Sequence, residues 1–350
     1  MGFAGLARLR HGSERRLAVD LGTANTVVYQ RGRGVVAFEP SVVAVDERTG
    51  EVYAVGSDAR RMIGRTPAHI TATRPLRHGV IADFEMAEQM LRYFIRSAAS
   101  KVGGGAEVMV CVPSGVTQVE RSAVVDATRA AGASRAYLIE EPLAAAIGAE
   151  LPVAESVGSL VVDVGGGTSE MAVTALGGMV VSHSVRVGGY DLDDAIVKLL
   201  QDTRGLLIGQ EQAETVKLEI GAAVNESWSS VAHVAGRDLA TGFLRRATVD
   251  ADSVCAALQR PLAQIIEGVE RVLEQTPPEL SSDIAGRGLT LVGGGALLRG
   301  FDQLLQMRTG LAVSTPDDPL TTVARGAGLA LDELRHLPAA RRSKRRAGRR

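Results

Sequence analysis

The sequence predicts an α/β fold in which two related domains face each other across a cleft. Three observations carry this reading. The stretch Leu160-Val161-Val162-Asp163-Val164-Gly165-Gly166-Gly167-Thr168 runs from apolar β-formers into an acid, then three glycines and a hydroxyl. A second copy, Leu17-Ala18-Val19-Asp20-Leu21-Gly22-Thr23-Ala24-Asn25-Thr26, places its aspartate 143 positions upstream, about one domain length. The order β-α-β-α then recurs on both sides of residue 150, the pattern of parallel or mixed sheets covered by helices.

The apolar run of each copy suits a buried strand. The glycines allow a tight hairpin whose bare N–H groups can face an anion. An aspartate at the strand end can hold a metal through water. Two such hairpins facing each other would grip the phosphates of one nucleotide from both sides. A third Gly-rich element, Leu289-Thr290-Leu291-Val292-Gly293-Gly294-Gly295-Ala296-Leu297-Leu298, runs from strand to loop to helix and suits close backbone approach to a flat or anionic group. None of the three carries the Gly-Lys-Ser/Thr of a Walker A loop, and none fits a dinucleotide-binding G-x-G-x-x-G. One glycine loop alone would read as a turn; two matched copies and a third do not.

The chain has 350 residues, 45% apolar and 23% charged, enough for two domains with real cores. No apolar run reaches the length of a membrane span, and the N-terminus is too basic for a secretory signal. Cys111 and Cys255 read as reduced thiols in the cytosol, and the six histidines show no metal-ligand spacing. Residues 341–350 carry seven positive and no negative charges, which leaves the rest of the chain at −8 against a net −1. Such a tail is expected to be disordered and to seek a polyanion. At the other end Phe3, Leu6 and Leu9 recur every three residues beside Arg8 and Arg10, a short amphipathic pattern suited to an anionic membrane.

In chain order, residues 17–45 read as a hairpin-rich sheet. Residues 46–70 hold a turn and a polar helix near 57–63, a small insert on the first domain. A helix is expected over 85–99, a strand over 108–112, and a helix from the N-cap Thr117 to 131. A strand at 136–139 leads to Glu140-Glu141-Pro142 and an Ala-rich helix. The second half repeats the scheme, with strands at 171–174 and 179–187 and helices at 188–200 and 211–222. A strand-rich insert follows over 223–250, then a long helix 251–274, an approach to the third Gly loop from 276, and a last helix over 322–334. Asp83 reads equally as a turn carboxylate and as a cleft residue; Glu140 reads as a solvated neighbour.

These residues resemble the MreB/Mbl family of bacterial actin homologues, within the actin/Hsp70/sugar-kinase superfamily, from about residue 15 to 335. The resemblance rests on Asp20 to Thr26, Glu39-Pro40-Ser41 to Ala44, Gly64 to Pro67, Gly79 to Phe84, Ile139-Glu140-Glu141-Pro142, Val162 to Thr168 and Gly293 to Leu298. It implies an actin-like ATPase fold of four subdomains around a cleft for ATP and Mg²⁺: 15–33, 72–145 and 316–336 as IA, 34–71 as IB, 146–182 and 246–315 as IIA, and 183–245 as IIB. Residues 1–14 would be an amphipathic membrane-binding segment and 337–350 a basic tail.

By position, Thr23, Ala24 and Asn25 would form one phosphate loop and Gly166, Gly167 and Thr168 the other. Glu214, Thr215, Val216 and Lys217, with Gly294, Gly295, Ala296 and Leu297, would line the adenosine side. Asp20 and Asp163 would hold Mg²⁺ through waters. Glu141 would orient the attacking water, with Thr168 hydrogen-bonded to it; capping of the Ala-rich helix is the competing role for Glu141. The chain departs from the family's pattern at Tyr190, where an aspartate usually follows the paired glycines.

The function implied is an ATPase, cleaving ATP to ADP and phosphate, that forms membrane-associated homopolymer filaments. These would scaffold peptidoglycan synthesis and determine cell shape from the cytoplasmic face of the membrane, with cell-wall synthesis and elongation proteins as partners. The alternatives are a DNA-segregating filament, with nucleic acid held by the basic tail, and another ATPase of the Hsp70/sugar-kinase superfamily.

Overall fold

The computed structural model describes residues 16–99, 105–225 and 230–333. The expected amphipathic segment, the basic tail and Trp228 lie outside the described residues.

Two five-stranded sheets form the frame. In the first, Arg16–Leu21 pairs antiparallel with Asn25–Gln30, which pairs antiparallel with Gly34–Pro40. On its other side Arg16–Leu21 runs parallel to Glu107–Val112, itself parallel to Arg135–Glu140. The second sheet repeats this order. Ser159–Val164 pairs antiparallel with Ser169–Ala175, then Gly178–Val185, and parallel with Leu289–Val292, then Val313–Ser314. The repeat seen in the sequence is therefore a repeat of topology. Each Asp-tipped strand is the central strand of its sheet, buried on both faces, which is why its apolar run is continuous rather than alternating.

Helices cover both sheets. Phe84–Ala99 packs Met90, Leu91, Phe94 and Ile95 into the first core. Gln118–Ala130 begins with a complete capping box, Thr117 with Glu120. Ala251–Gln275 runs through Pro261 and buries Val254, Leu258, Leu262, Ile265, Ile266 and Val269 against the second sheet. The segment from 276 toward the third Gly loop is not a bare approach. Pro278–Arg287 is a helix, with Pro278 in its first turn, where the missing N–H removes no bond.

Gly34–Pro40 belongs to the first large sheet, and Val43–Asp46, Glu51–Val55 and Ile70–Thr73 form a separate three-stranded sheet. The unit expected over 183–245 carries the three-stranded sheet of Leu206–Leu207, Val231–Asp238 and Leu244–Asp250, which ends only at the start of the long helix.

The two halves are joined by helices Glu141–Gly148 and Thr322–Asp332, which cross at very short range. A Cβ on Gly148 would run into Thr322 O, and one on Gly326 into Ala144 O. Their small faces share one core with Ala18, Met109, Val161, Ala172 and Val292, residues from both sheets. No helix among the described residues is long and apolar enough to cross a membrane.

Candidate functional site

The first loop, after Leu21, is fixed by Ser41. Its hydroxyl donates to Gly22 O at 2.6 Å and its N–H donates to Ala24 O at 2.9 Å. The second loop closes through Gly165 N–H donating to Thr168 O at 2.9 Å. The helix starting at Gly189 docks behind it, with Gly189 N–H on Gly165 O at 2.9 Å and Tyr190 N–H on Gly166 O at 2.8 Å. The two loops touch. A Cβ on Gly167 would lie 2.9 Å from Thr23 Oγ1, and one on Gly166 would strike Ala24 Cβ. The short hairpin Leu76–Ile81 braces both, since Gly79 N–H donates to Thr23 Oγ1 at 2.9 Å and His78 Nδ1 donates to Gly167 O at 3.1 Å.

Between them lies a cleft of about 400 Å³. Asp20, Thr23, Ala24 and Asn25 line it from the first domain and Asp163, Gly166, Gly167 and Thr168 from the second. Glu141 lines its floor, 8% exposed. Gly293, at φ 79, completes the wall; a Cβ there would run into Asp163 Oδ1, so the third glycine loop begins with a residue that only glycine can supply.

Burial controls the charges. Asp163 is pushed up to about 8, by loss of water first and then by the charges of Asp20 and Glu170. Asp20 is pushed up to about 7 by burial, although its edge opens onto the cleft. Glu141 is raised well above the ordinary glutamate range by burial, then by Glu170, Asp20 and Asp163. Among the described residues no lysine or arginine pairs with Asp20, Glu141 or Asp163. No three acidic, His or Cys side chains among them converge to ligate a metal directly. Two separated carboxylates short of positive charge fit a hydrated divalent cation, held through its waters.

The opposite wall comes from helix Gln210–Ile220 and the turn Gly294–Leu297. Glu214, Lys217, Gly294, Gly295 and Leu297 line the cleft; Thr215, Val216 and Ala296 do not. The helix cannot present four consecutive residues one way. Val216 turns into the core with Ala213 and Ile220, and Thr215 donates to Glu211 O. Ala296 packs against the second core. Lys217 Nζ sits 2.7 Å from Asp193 Oδ1 and donates to Gly189 O at 3.0 Å. Burial raises Asp193 to about 6 against the opposing pull of Lys217.

Asp83 accepts from Met86 N–H at 3.1 Å and caps its helix outside the cleft. Glu140 is half-buried and pairs with Arg121 at 2.9 Å. Glu140 is the N-cap of helix Glu141–Gly148 and makes no side-chain capping bond, while Glu141 is the acid of its first turn, where the helix dipole favours a carboxylate. Links that the motifs did not foretell cross the mouth of the cleft: Arg60 to Glu214, Arg65 to Glu211 at 2.7 Å, and Arg74, whose Nε donates to the Tyr190 hydroxyl at 3.0 Å and whose Nη1 donates to Gln210 Oε1 at 3.4 Å. Arg74 also lies 4.8 Å from the Tyr190 ring centre. Tyr190 thus fills the departure from the family's pattern with a contact between domains. Glu170 was also missed; a lone acid within the apolar run after the second loop was the available signal.

The family profile described as MreB/Mbl protein matches residues 14–339. The cell shape-determining protein MreB of Escherichia coli K12 is 51% identical over 324 residues, 91% of this chain and 93% of that protein. The cell shape-determining protein Mbl of Bacillus subtilis 168 is 42% identical over 93% of this chain and 98% of that protein. Among solved structures, MreB5 of Spiroplasma citri bound to ADP superposes with a TM-score of 0.86 at 35% identity, covering 91% of this chain and 96% of that one. The MamK double helical filament shares the fold at a TM-score of 0.77 and 23% identity, covering 91% of this chain and 99% of that one.

Proposed function

The chain belongs to the MreB/Mbl family, and on that premise we propose that it is an ATP-hydrolysing, actin-like filament protein that scaffolds peptidoglycan synthesis at the membrane and determines cell shape. The observation that carries this is the pair of touching loops beside Asp20 and Asp163, carboxylates that no lysine or arginine among the described residues neutralises. That arrangement suits a triphosphate bringing its own divalent metal.

Thr23, Ala24 and Asn25 hold the phosphates from one side and Gly166, Gly167 and Thr168 from the other. Glu214, Lys217, Gly294, Gly295 and Leu297 take the adenosine. Asp20 and Asp163 hold Mg²⁺ through waters; when bound, it neutralises charge on the phosphates. Glu141, on the cleft floor, orients the attacking water. Thr168 supplies a second hydrogen bond to that water. Phosphoryl transfer asks mainly for positioning and charge neutralisation, which these groups supply. The solved complexes of MreB5 with ADP and AMPPNP support the nucleotide assignment, and the name of the E. coli relative supports shape determination.

Hydrolysis times filament disassembly. ATP favours the closed cleft, and the closed shape favours a head-to-tail contact, which generates an open filament when it does not close on itself. The filament lies in the cytoplasm, peripheral to the inner face of the membrane. Residues 1–14 and 337–350 supply the membrane contact, weak in one copy and strong when a polymer presents many. Its partners there are cell-wall synthesis and elongation proteins. Sedimentation with Mg²⁺-ATP, with anionic vesicles and with DNA tests this. Pelleting that needs ATP and is enhanced by vesicles is expected. Pelleting with DNA alone would replace the reading with a nucleic-acid filament.

A further inference from the structure

Glu170 is 1% exposed, on a strand, Ser169–Ala175, in which every residue is buried. It has no cationic partner among the described residues. Oε2 accepts the Ser114 N–H at 3.0 Å and the Ser114 hydroxyl at 2.6 Å, and Oε1 accepts the Ser184 hydroxyl. Ser114 lies in the turn after Glu107–Val112 of the first domain; Ser184 lies on Gly178–Val185 of the second. Glu170 is therefore a buried polar tie between the domains.

The tie sits beside the chemistry. Glu170 stands opposite Asp163 in the strand register and two residues beyond Thr168. A Cβ on Gly79 would lie 2.5 Å from Pro113 Cγ and 3.1 Å from Thr168 Cγ2, so the Ser114 turn, the bracing hairpin and Thr168 pack in one place. Glu170 is also the charge that acts most strongly on Glu141. An apolar side chain would complete this strand at lower cost than a carboxylate without a cation. Packing alone does not explain the residue.

We propose that Glu170 is a positioning residue for hydrolysis. By holding the Ser114 turn to the second domain, it fixes Thr168, on the second domain, and Glu141, on the first, around the same water. This rests on the ATPase reading above. Misplacement of reacting groups by about 1 Å costs on the order of 100-fold in rate, so Glu170→Ala is expected to lower kcat about 10- to 100-fold. KM for ATP and the affinity for a non-hydrolysable ATP analogue should stay within about threefold. Glu170→Gln keeps acceptors for Ser114 and a donor for Ser184, and is expected to restore most of the rate.

The test measures kcat, KM, analogue affinity and melting temperature for the wild type, Glu170→Ala, Glu170→Gln, Ser114→Ala and the Glu170→Ala/Ser114→Ala double variant. A kcat-specific loss, rescued by glutamine and not deepened in the double variant, supports the tie. Should Glu170→Ala fail to fold, Ser114→Ala alone decides, with a loss of kcat at constant analogue affinity expected. Unchanged kcat in folded variants, or affinity and melting temperature falling in step with kcat, would overturn the positioning role and leave the ATPase reading standing. A wild type that binds the analogue and never turns over ATP would overturn both.

Discussion

Replacing Asp163 with Asn removes the carboxylate that burial disfavours most clearly among the expected metal holders. Asp163 is pushed up to about 8 in the folded protein, against 3.8 for a free aspartate. The folded state thus binds this proton more tightly than the unfolded chain does. The stability so gained is complete below about pH 4 and is lost as pH rises through about 8. Asp20, raised to about 7, acts in the same direction.

Four pH units at 1.36 kcal/mol each bound the Asp163 effect at roughly 5 kcal/mol. Relaxation and water entry in an open cleft reduce this, so about 2–3 kcal/mol is the expected gain for Asp163→Asn at pH 8.5 without metal. Urea unfolding followed by circular dichroism, in EDTA at pH 5.5 and 8.5, measures it. The wild type should lose stability over that interval, and the variant should lose less. Adding Mg²⁺-ATP at a hundredfold excess over Kd should stabilise the wild type by about 2.7 kcal/mol and the variant by much less. Wild-type stability that is level or rising with pH, or a variant with the same slope and the same response to Mg²⁺-ATP, would rule out Asp163 as a buried carboxylate that holds the metal.

Glu141→Ala should retain ATP binding and slow phosphate release by about 100-fold or more; unchanged release, followed by a coupled phosphate assay, removes Glu141 from the mechanism. Gly167→Val places new atoms against Thr23 and should abolish nucleotide binding measured by calorimetry while the far-UV spectrum stays native; retained affinity would mean that the loops do not bind phosphate together. Deleting residues 2–11 and 341–350 should reduce the fraction that floats with anionic vesicles, and an unaltered fraction would dismiss the membrane contact.

Much of this architecture was legible because local patterns and global packing agree. The central strands announced themselves as unbroken apolar runs ending in Asp20 and Asp163, and Thr117 with Glu120 marked a helix start that forms as read. The two loops were legible as a pair, although their contact through Thr23, Ala24, Gly166 and Gly167 is a tertiary fact. Residues 214–217 do not form one lining segment, because helical geometry sends Val216 into the core while Glu214 and Lys217 face the cleft. The paired prolines before Glu279 masked a helix, because proline breaks a helix only beyond its first turn. Arg60, Arg65 and Arg74 reach partners about 115 to 155 positions away, as set by the folded topology. Nothing near them in the chain signals those partners.

The most direct test is a structure of the protein with Mg²⁺ and a non-hydrolysable ATP analogue. Phosphates are expected between Thr23–Asn25 and Gly166–Thr168, with hydrated metal facing Asp20 and Asp163. Phosphates contacting only one of the two loops, or a nucleotide seated elsewhere, would contradict this arrangement.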